Sequence, residues 1–366
     1  MAATTSSGRG ERGGNDRDSS VYHVHRRAWS LVFSDKMVRG YELCARVYRQ
    51  KLVERLRASS GAIPVDVYHW FSLYIFDVMG DLRSAGASGV VTLLKSLTVF
   101  FGIGFPIWVF LAIRNTPGLM SDFWKLLDWC AKRFRQWLEN EQSEVPDISA
   151  SLIGSLLIYR LAPLTAIFYL LAHHPDEVEK LRRELEPYRD ADHSTGEFLH
   201  SEIARLPHLN GVINEALRLF PAVPGTVPRK TPRGGIVVQG VRIPGDITVF
   251  CPQWVMARSE LCCAKPYEFI PERWYSQPEL VRSKSAFAPF SIGPYNCVGR
   301  PLALSNLRTT PARLITSFDV QLGPAETKER FLHDVKDRFV LELGALNLIL
   351  SSVDRVFPYP NPSSSS

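Results

Sequence analysis

The stretch Phe287-Ala288-Pro289-Phe290-Ser291-Ile292-Gly293-Pro294-Tyr295-Asn296-Cys297-Val298-Gly299-Arg300-Pro301 constrains this chain more than any other. It reads as a tight loop that delivers one cysteine. Gly293 and Gly299 let backbone approach a flat ligand, because a glycine has no Cβ and reaches conformations closed to other residues. Pro301, with its fixed φ and missing N–H, suits the first turn of a helix running on through Leu302, Ala303, Leu304 and Leu307. A thiol just ahead of a helix N-terminus and next to Arg300 sits in positive potential, which favours a sulfur anion. A lone cysteine beside a turn is ordinarily a buried structural residue. The spacing and the neighbours of Cys297 favour a ligand instead.

At 366 residues, 45% hydrophobic and 22% charged, the chain can bury a large core as one big domain or two ordinary ones. The formal net charge is +6, but Lys and Arg are scattered among Asp and Glu, so no nucleic-acid partner is expected. Six cysteines, at 44, 130, 251, 262, 263 and 297, show neither a C-x-x-C metal spacing nor a dense disulfide framework. A reducing, intracellular setting follows. Residues 1–20, rich in Gly, Ser, Arg and Asp, read as a disordered tail, as does the Pro- and Ser-rich 356–366. Leu97 to Ile113 is apolar between Lys95 and Arg114 but is interrupted by Gly102, Gly104 and Pro106. Spanning helices need roughly 17 to 25 residues, so this segment is at the short limit and reads equally well as membrane-facing or core.

Along the chain, Val65 to Gly80 and Met120 to Glu139 carry apolar residues at helical spacing, among them Trp124, Leu127, Trp129 and Phe134. Pro163 is expected to kink any helix that runs through it. His174-Pro175-Asp176-Glu177 opens a helix with proline at its first position, acids in its first turn and Val178, Leu181 and Leu185 as its buried stripe. His173 and His174 point to different faces and are helix-start residues rather than metal ligands. Leu206 to Phe220 forms the next helix, on which Glu215 and Arg218 share a face and can pair. Ile236 to Phe250 reads as short strands around Gln239-Gly240 and Pro244-Gly245-Asp246, and Phe339 to Leu350 as a closing hairpin.

Phe290-x-x-Gly293-x-x-x-Cys297-x-Gly299 resembles the haem-binding loop of the cytochrome P-450 family, the haem-thiolate monooxygenases. Tyr295 departs from the basic residue that the family often has two places before the cysteine. The resemblance runs from about Val21 to Arg355 and is sharpest from Leu206 through Leu307. It implies a mainly α fold with small β-sheets, a haem domain over 21–355 that lacks its N-terminal portion, and a truncated, internally deleted member of fungal type serving secondary metabolism. Cys297 then is the axial ligand of haem b iron, with Phe290 near the sulfur and Gly293 and Gly299 shaping the loop. The resemblance also assigns Arg26, on a basic helix ending in Phe33-Ser34, and Arg229, after Thr226-Val227-Pro228, to the haem propionates. Glu215 and Arg218 match the family's helix pair and Arg273, in Pro271-Glu272-Arg273-Trp274, its third member, a buried triad that locks the cysteine loop.

The implied activity is oxidation of an apolar small molecule with O2 and electrons from an NADPH-dependent flavoprotein reductase, at the endoplasmic reticulum membrane surface, with membrane contact through Leu97–Ile113. The family's acid–threonine pair on the central helix has no counterpart here. Residues 157–165 read Leu-Ile-Tyr-Arg-Leu-Ala-Pro-Leu-Thr, and Thr165 falls after the position of the catalytic threonine. The catalytic residues are therefore unassigned. A haem-binding pseudoenzyme or gene-model fragment, with the oxygen-activation relay lost, stays open. So does a non-haem enzyme using Cys297 as nucleophile, which needs a His base although the sequence has none between 208 and 333.

Overall fold

The computed structural model describes residues 26–27, 30, 33, 35–61, 63–80, 149–189, 196–225 and 227–353. Both expected tails, Leu97–Ile113 and Met120–Glu139 lie outside the described residues. The described part is helical around one apolar core, with small antiparallel sheets at its margins.

Helix α1, Asp35–Ala58, buries Val38, Tyr41, Ala45, Tyr48, Leu52, Val53 and Leu56, a stripe at three- and four-residue spacing. The short strand β1, Val65–Asp66, leads into α2, Val67–Gly80. The helix expected from Val65 thus begins two residues later. Asp66 marks the boundary: its Oδ1 accepts from the backbone N–H of Tyr68 at 3.0 Å and of Leu346 at 3.2 Å, satisfying a helix-start donor and tying α2 to the C-terminal strand region.

Helix α3, Ser149–His173, is the centre of the molecule. Residues 161–171 are buried without a break, as expected of a helix surrounded by other elements. It packs against α2, and Phe71 and Phe168 meet there with ring centroids 5.1 Å apart. Pro163 lies inside α3, which continues through it as one element. An interior proline costs about 3 kcal/mol or more. Full burial of Leu164, Ile167, Phe168 and Leu171, at roughly 1.5–3 kcal/mol each, outweighs that local penalty.

Helix α4, Pro175–Leu185, has Pro in its first turn, Asp176 and Glu177 at its start and Val178, Leu181 and Leu185 buried. The adjacent histidines are occupied locally: His173 Nδ1 and His174 Nδ1 each lie 2.8 Å from the carbonyl oxygen four residues back. Helix α5, Pro207–Leu219, and α6, Arg300–Ser317, complete the helical core.

Between α5 and α6, strand β2, Arg229–Lys230, pairs with β5, Thr248–Val249, and β3, Ile236–Val238, pairs with β4, Val241–Ile243. The β3–β4 turn is Gln239-Gly240, both at positive φ, which matches the right-handed twist of a two-residue hairpin. The expected closing hairpin over Phe339–Leu350 does not form. After β6, Phe318–Leu322, strand β7, Lys336–Arg338, turns at Phe339, itself at φ 71°, and pairs with β8, Val340–Glu342. Strand β9, Asn347–Ser352, leaves that ladder and inserts between β1 and β6, burying Leu348 and Leu350. Gly344 makes the departure sterically feasible, because a Cβ there would lie 2.5 Å from Cβ of Asp334.

A buried ion network joins α1 to α6. Arg49 Nε donates to Glu197 Oε2 at 2.6 Å and its Nη1 to Thr309 Oγ1 at 2.7 Å, while Arg313 Nε lies 3.4 Å from Glu197 Oε1. Arg49 and Glu197 are both 0% exposed, so neither charge is stable without the other. Nearby, the Tyr74 hydroxyl donates to Asn306 Oδ1 at 2.7 Å, tying α2 to the same face of α6. Glu197→Ala is expected to lower unfolding free energy by about 3–5 kcal/mol, read from urea denaturation, because it leaves the Arg49 guanidinium uncompensated. A change within about 1 kcal/mol, the scale of an exposed pair, would show that water reaches Arg49.

Candidate functional site

The cysteine loop is closed by its own backbone. Ser291 at φ 55° and Gly293 at φ 75° reverse the chain twice. The Cys297 N–H then donates to the Phe290 carbonyl at 2.7 Å, and Asn296 N–H to Gly293 O at 3.1 Å. Ser291 holds its left-handed conformation without being glycine, a cost the surrounding hydrogen bonds offset. Gly299 is buried and caps α6, which begins at Arg300 with Pro301 in its first turn. Cys297 is exposed, ahead of the N-terminus of an 18-residue helix whose dipole favours an anion there.

Three arginines surround the residues next to Cys297. The Arg26 guanidinium donates to the backbone oxygen and to Oδ1 of Asn296. The Arg229 guanidinium lies 6.0 Å from the Tyr295 ring centre and that of Arg300 5.9 Å from the Phe290 ring centre. Phe33, Val38, Tyr41 and Leu302 form a small cluster with Val298 packed against it, and this seats the front of α1 on the loop. The structure therefore brings Phe290, Gly293, Cys297, Gly299, Arg26 and Arg229 to one place.

Beneath the loop, one carboxylate organises the support. Glu215 Oε1 accepts from Arg273 Nε and Arg218 Nη2, both at 2.8 Å, and from Ile270 N at 3.1 Å. Its Oε2 accepts from Arg218 Nε at 2.9 Å and Trp274 Nε1 at 3.0 Å. The remaining guanidinium donors are used on backbone carbonyls and one sulfur. Arg218 Nη1 reaches Ala257 O and Pro266 O at 2.7 and 2.6 Å, and Arg273 Nη1 reaches Ala264 O and Cys263 Sγ, both at 2.9 Å. Glu215, Arg218 and Arg273 are 0%, 3% and 1% exposed. Gly211 permits the close approach of α5 to this segment, since a Cβ there would lie 2.7 Å from the Pro271 carbonyl oxygen.

The connection from network to loop is aromatic. Trp274, bonded to Glu215, packs its ring against Phe287 at 4.3 Å, and Phe287 begins the cysteine loop. Sequence reading missed Trp274 and Cys263 as partners. Only the neighbouring Arg273 marked the spot. It also missed Arg49–Glu197, for which the one available signal was an arginine on the apolar stripe of α1.

The central helix α3 contains no Asp or Glu anywhere along Ser149–His173. Thr165 is fully buried and its hydroxyl has no hydrogen-bond partner among the described residues. The side chains of 149–160 lie outside the described residues, as does the expected turn after Gly80.

The family model described as cytochrome P450 matches residues 161–345. Among curated proteins, the tryprostatin B 6-hydroxylase of Aspergillus fumigatus is 42% identical over 369 residues, covering 92% of this chain and 66% of its own length. The cytochrome P450 monooxygenase notG' of Aspergillus versicolor is 38% identical, covering 92% and 67%, and the cytochrome P450 monooxygenase sthD of Phaeosphaeria nodorum 36%, covering 94% and 79%. The chain belongs to the cytochrome P450 family. It spans about two thirds of the length of the first two of these relatives.

Haem ligated by a cysteine thiolate is the cofactor of cytochromes P450. The residues present fit it. The thiol of Cys297 is exposed rather than packed into the core, arginines that suit carboxylates stand on either side, and a Cβ built at Gly293 meets nothing within 4 Å. Among the described residues no helix is long and apolar enough to cross a membrane.

Arg218→Ala is expected to destabilise the protein by about 3–5 kcal/mol, since it removes two of the five bonds to the buried Glu215 carboxylate and the donor that serves the carbonyls of Ala257, Pro266 and Glu268. Arg273→Lys keeps the charge but cannot reproduce the guanidinium fork, so its urea midpoint should also fall, by less than that of Arg273→Ala. An unchanged midpoint in either Arg218→Ala or Arg273→Ala would show that the network does not hold this region together.

Proposed function

We propose that this cytochrome P450 is a haem-thiolate monooxygenase that inserts one oxygen atom of O2 into an apolar small molecule. Electrons come from NADPH through a flavoprotein reductase. The observation that carries the reading is an exposed Cys297 thiol at the start of α6, in a loop braced by a saturated buried charge network. The relative named tryprostatin B 6-hydroxylase supports hydroxylation of a small molecule as the reaction class.

Haem, when bound, supplies reductive activation of dioxygen and transfer of oxygen to carbon. Cys297 would ligate its iron, and Arg26 and Arg229 would orient it through charge-assisted contacts to its carboxylates. Glu215, Arg218 and Arg273 keep the loop from relaxing, through Trp274 and Phe287.

A second reading is favoured by α3 itself. Proton delivery by a positioned acid typically contributes about 10²–10⁴-fold, and this helix has no carboxylate while Thr165 is sealed in the core. On that reading the protein binds haem and accepts electrons but releases much of the reduced oxygen as hydrogen peroxide.

Reduced wild-type protein should give the carbon monoxide difference spectrum of a thiolate-ligated haem, and Cys297→Ala should lose it. The same spectrum from both, or no haem in the wild type, would sink the assignment. Reconstitution with a reductase and a panel of apolar compounds then separates the two readings by comparing NADPH consumed with product and peroxide formed. Tight coupling shows that another group relays the protons.

A further inference from the structure

Outside the cysteine site, three ligand-type side chains from three separate segments converge. Glu177 is in the first turn of α4, His208 in the first turn of α5, and Glu272 in the single turn Pro271–Trp274 beside the buried triad. One ligand atom from each lies within 4.8 Å of the others. Glu177 and His208 are 6% and 5% exposed. Lys180 Nζ sits 2.6 Å from both Glu177 Oε1 and Glu272 Oε1, so an ammonium marks the point where positive charge is held. The other oxygen of Glu177, Oε2, is buried, has no hydrogen-bond partner among the described residues and lies 3.3 Å from His208 Nε2.

The surroundings suit the imidazole as a ligand. His208 Nδ1 is 3.1 Å from the Tyr275 hydroxyl, and Nε2 is also 3.3 Å from the Glu177 backbone oxygen. Nε2 faces two oxygens, the Glu177 carbonyl and Oε2, and carries the ring proton while no ion is bound; an ion at Nε2 requires the other tautomer, in which Nδ1 donates to the Tyr275 hydroxyl. An outer partner of that kind fixes the tautomer at metal-bound histidines. Charge balance points the same way. Two carboxylates and one ammonium leave a net negative charge in a largely buried place, whereas a divalent cation neutralises both carboxylates. A nitrogen with two carboxylate oxygens selects zinc over magnesium or calcium, which prefer oxygen alone.

We propose that Glu177, His208 and Glu272 form a zinc site, with water as fourth ligand, in which the ion takes the position of the Lys180 ammonium. Lys180 is 37% exposed and can swing into solvent. The bound ion clamps α4 and α5 to the segment that carries Arg273 and so stiffens the support of the cysteine loop from outside. The site is independent of whatever the cysteine loop binds.

The test is zinc titration of the purified full chain by calorimetry, after chelator treatment and desalting. One zinc per chain is expected, bound at least about tenfold more tightly by Lys180→Met and at least about tenfold more weakly by Glu272→Gln and His208→Gln. X-ray absorption at the zinc edge should show nitrogen and oxygen neighbours only. Failure of the wild type to bind zinc overturns the proposal, as does binding unchanged in Glu272→Gln, or sulfur in the coordination shell, which would move the ion to the cysteines. Glu272 is 18% exposed, so its variant tests the site even where His208→Gln fails to fold.

Discussion

The carboxylate of Glu215 is the interaction on which the rest of this molecule depends. A fully buried anion is tolerable only when every lone pair is used, and each oxygen of Glu215 accepts from at least two donors drawn from α5, from Ile270 and from the Pro271–Trp274 turn. Because Arg218 and Arg273 use their remaining donors on backbone carbonyls between Ala257 and Glu268, the network specifies the path of an otherwise irregular segment. Apolar side chains of the same volume would bury as much surface without saying where that segment runs. The network thus supplies position more than stability. Position is what a loop presenting one sulfur requires.

The second constraint is steric. Helix α3 has neighbours on every side, so its conformation is decided by what it packs against rather than by its own preferences. Pro163 shows the balance. Local propensity argues for a break, and the buried leucines, isoleucine and phenylalanine that follow argue for continuity, with the larger free energy. The same logic governs the C-terminal strands. The alternation around Phe339 to Leu350 fits a hairpin locally, but Leu348 and Leu350 bury more surface between β1 and β6 than a solvent-facing ladder would allow.

These cases show how much was legible in the residues alone. The cysteine loop, the α4 and α5 helices and the β3–β4 turn were readable, because each depends on short spacings: Gly293 to Cys297, Pro175 to Leu185, Gln239 to Gly240. The Glu215–Arg218 pair was readable as an i,i+3 contact, and Arg273 only through a family resemblance. What was not legible depends on contacts between residues far apart in the chain. Nothing near Glu197 announces Arg49, and nothing near Asp66 announces Leu346. The Glu177–His208–Glu272 cluster is of the same kind, assembled from three helix starts that carry no shared motif.

The cysteine loop and the central helix α3 are built by different means. The loop rests mainly on residues 206–317, cross-linked by charge, with Arg26 and the front of α1 seated on it from far away in the sequence. Helix α3 is a different case: its residues 161–171 are buried without a break, its one threonine among them, and it bears no carboxylate. Ligation of a metal by a thiolate needs only the loop and its support, whereas proton delivery needs a positioned acid, and α3 carries no carboxylate. The setting of Cys297 is therefore the more strongly determined part, fixed by charge and hydrogen bonds rather than by apolar packing alone.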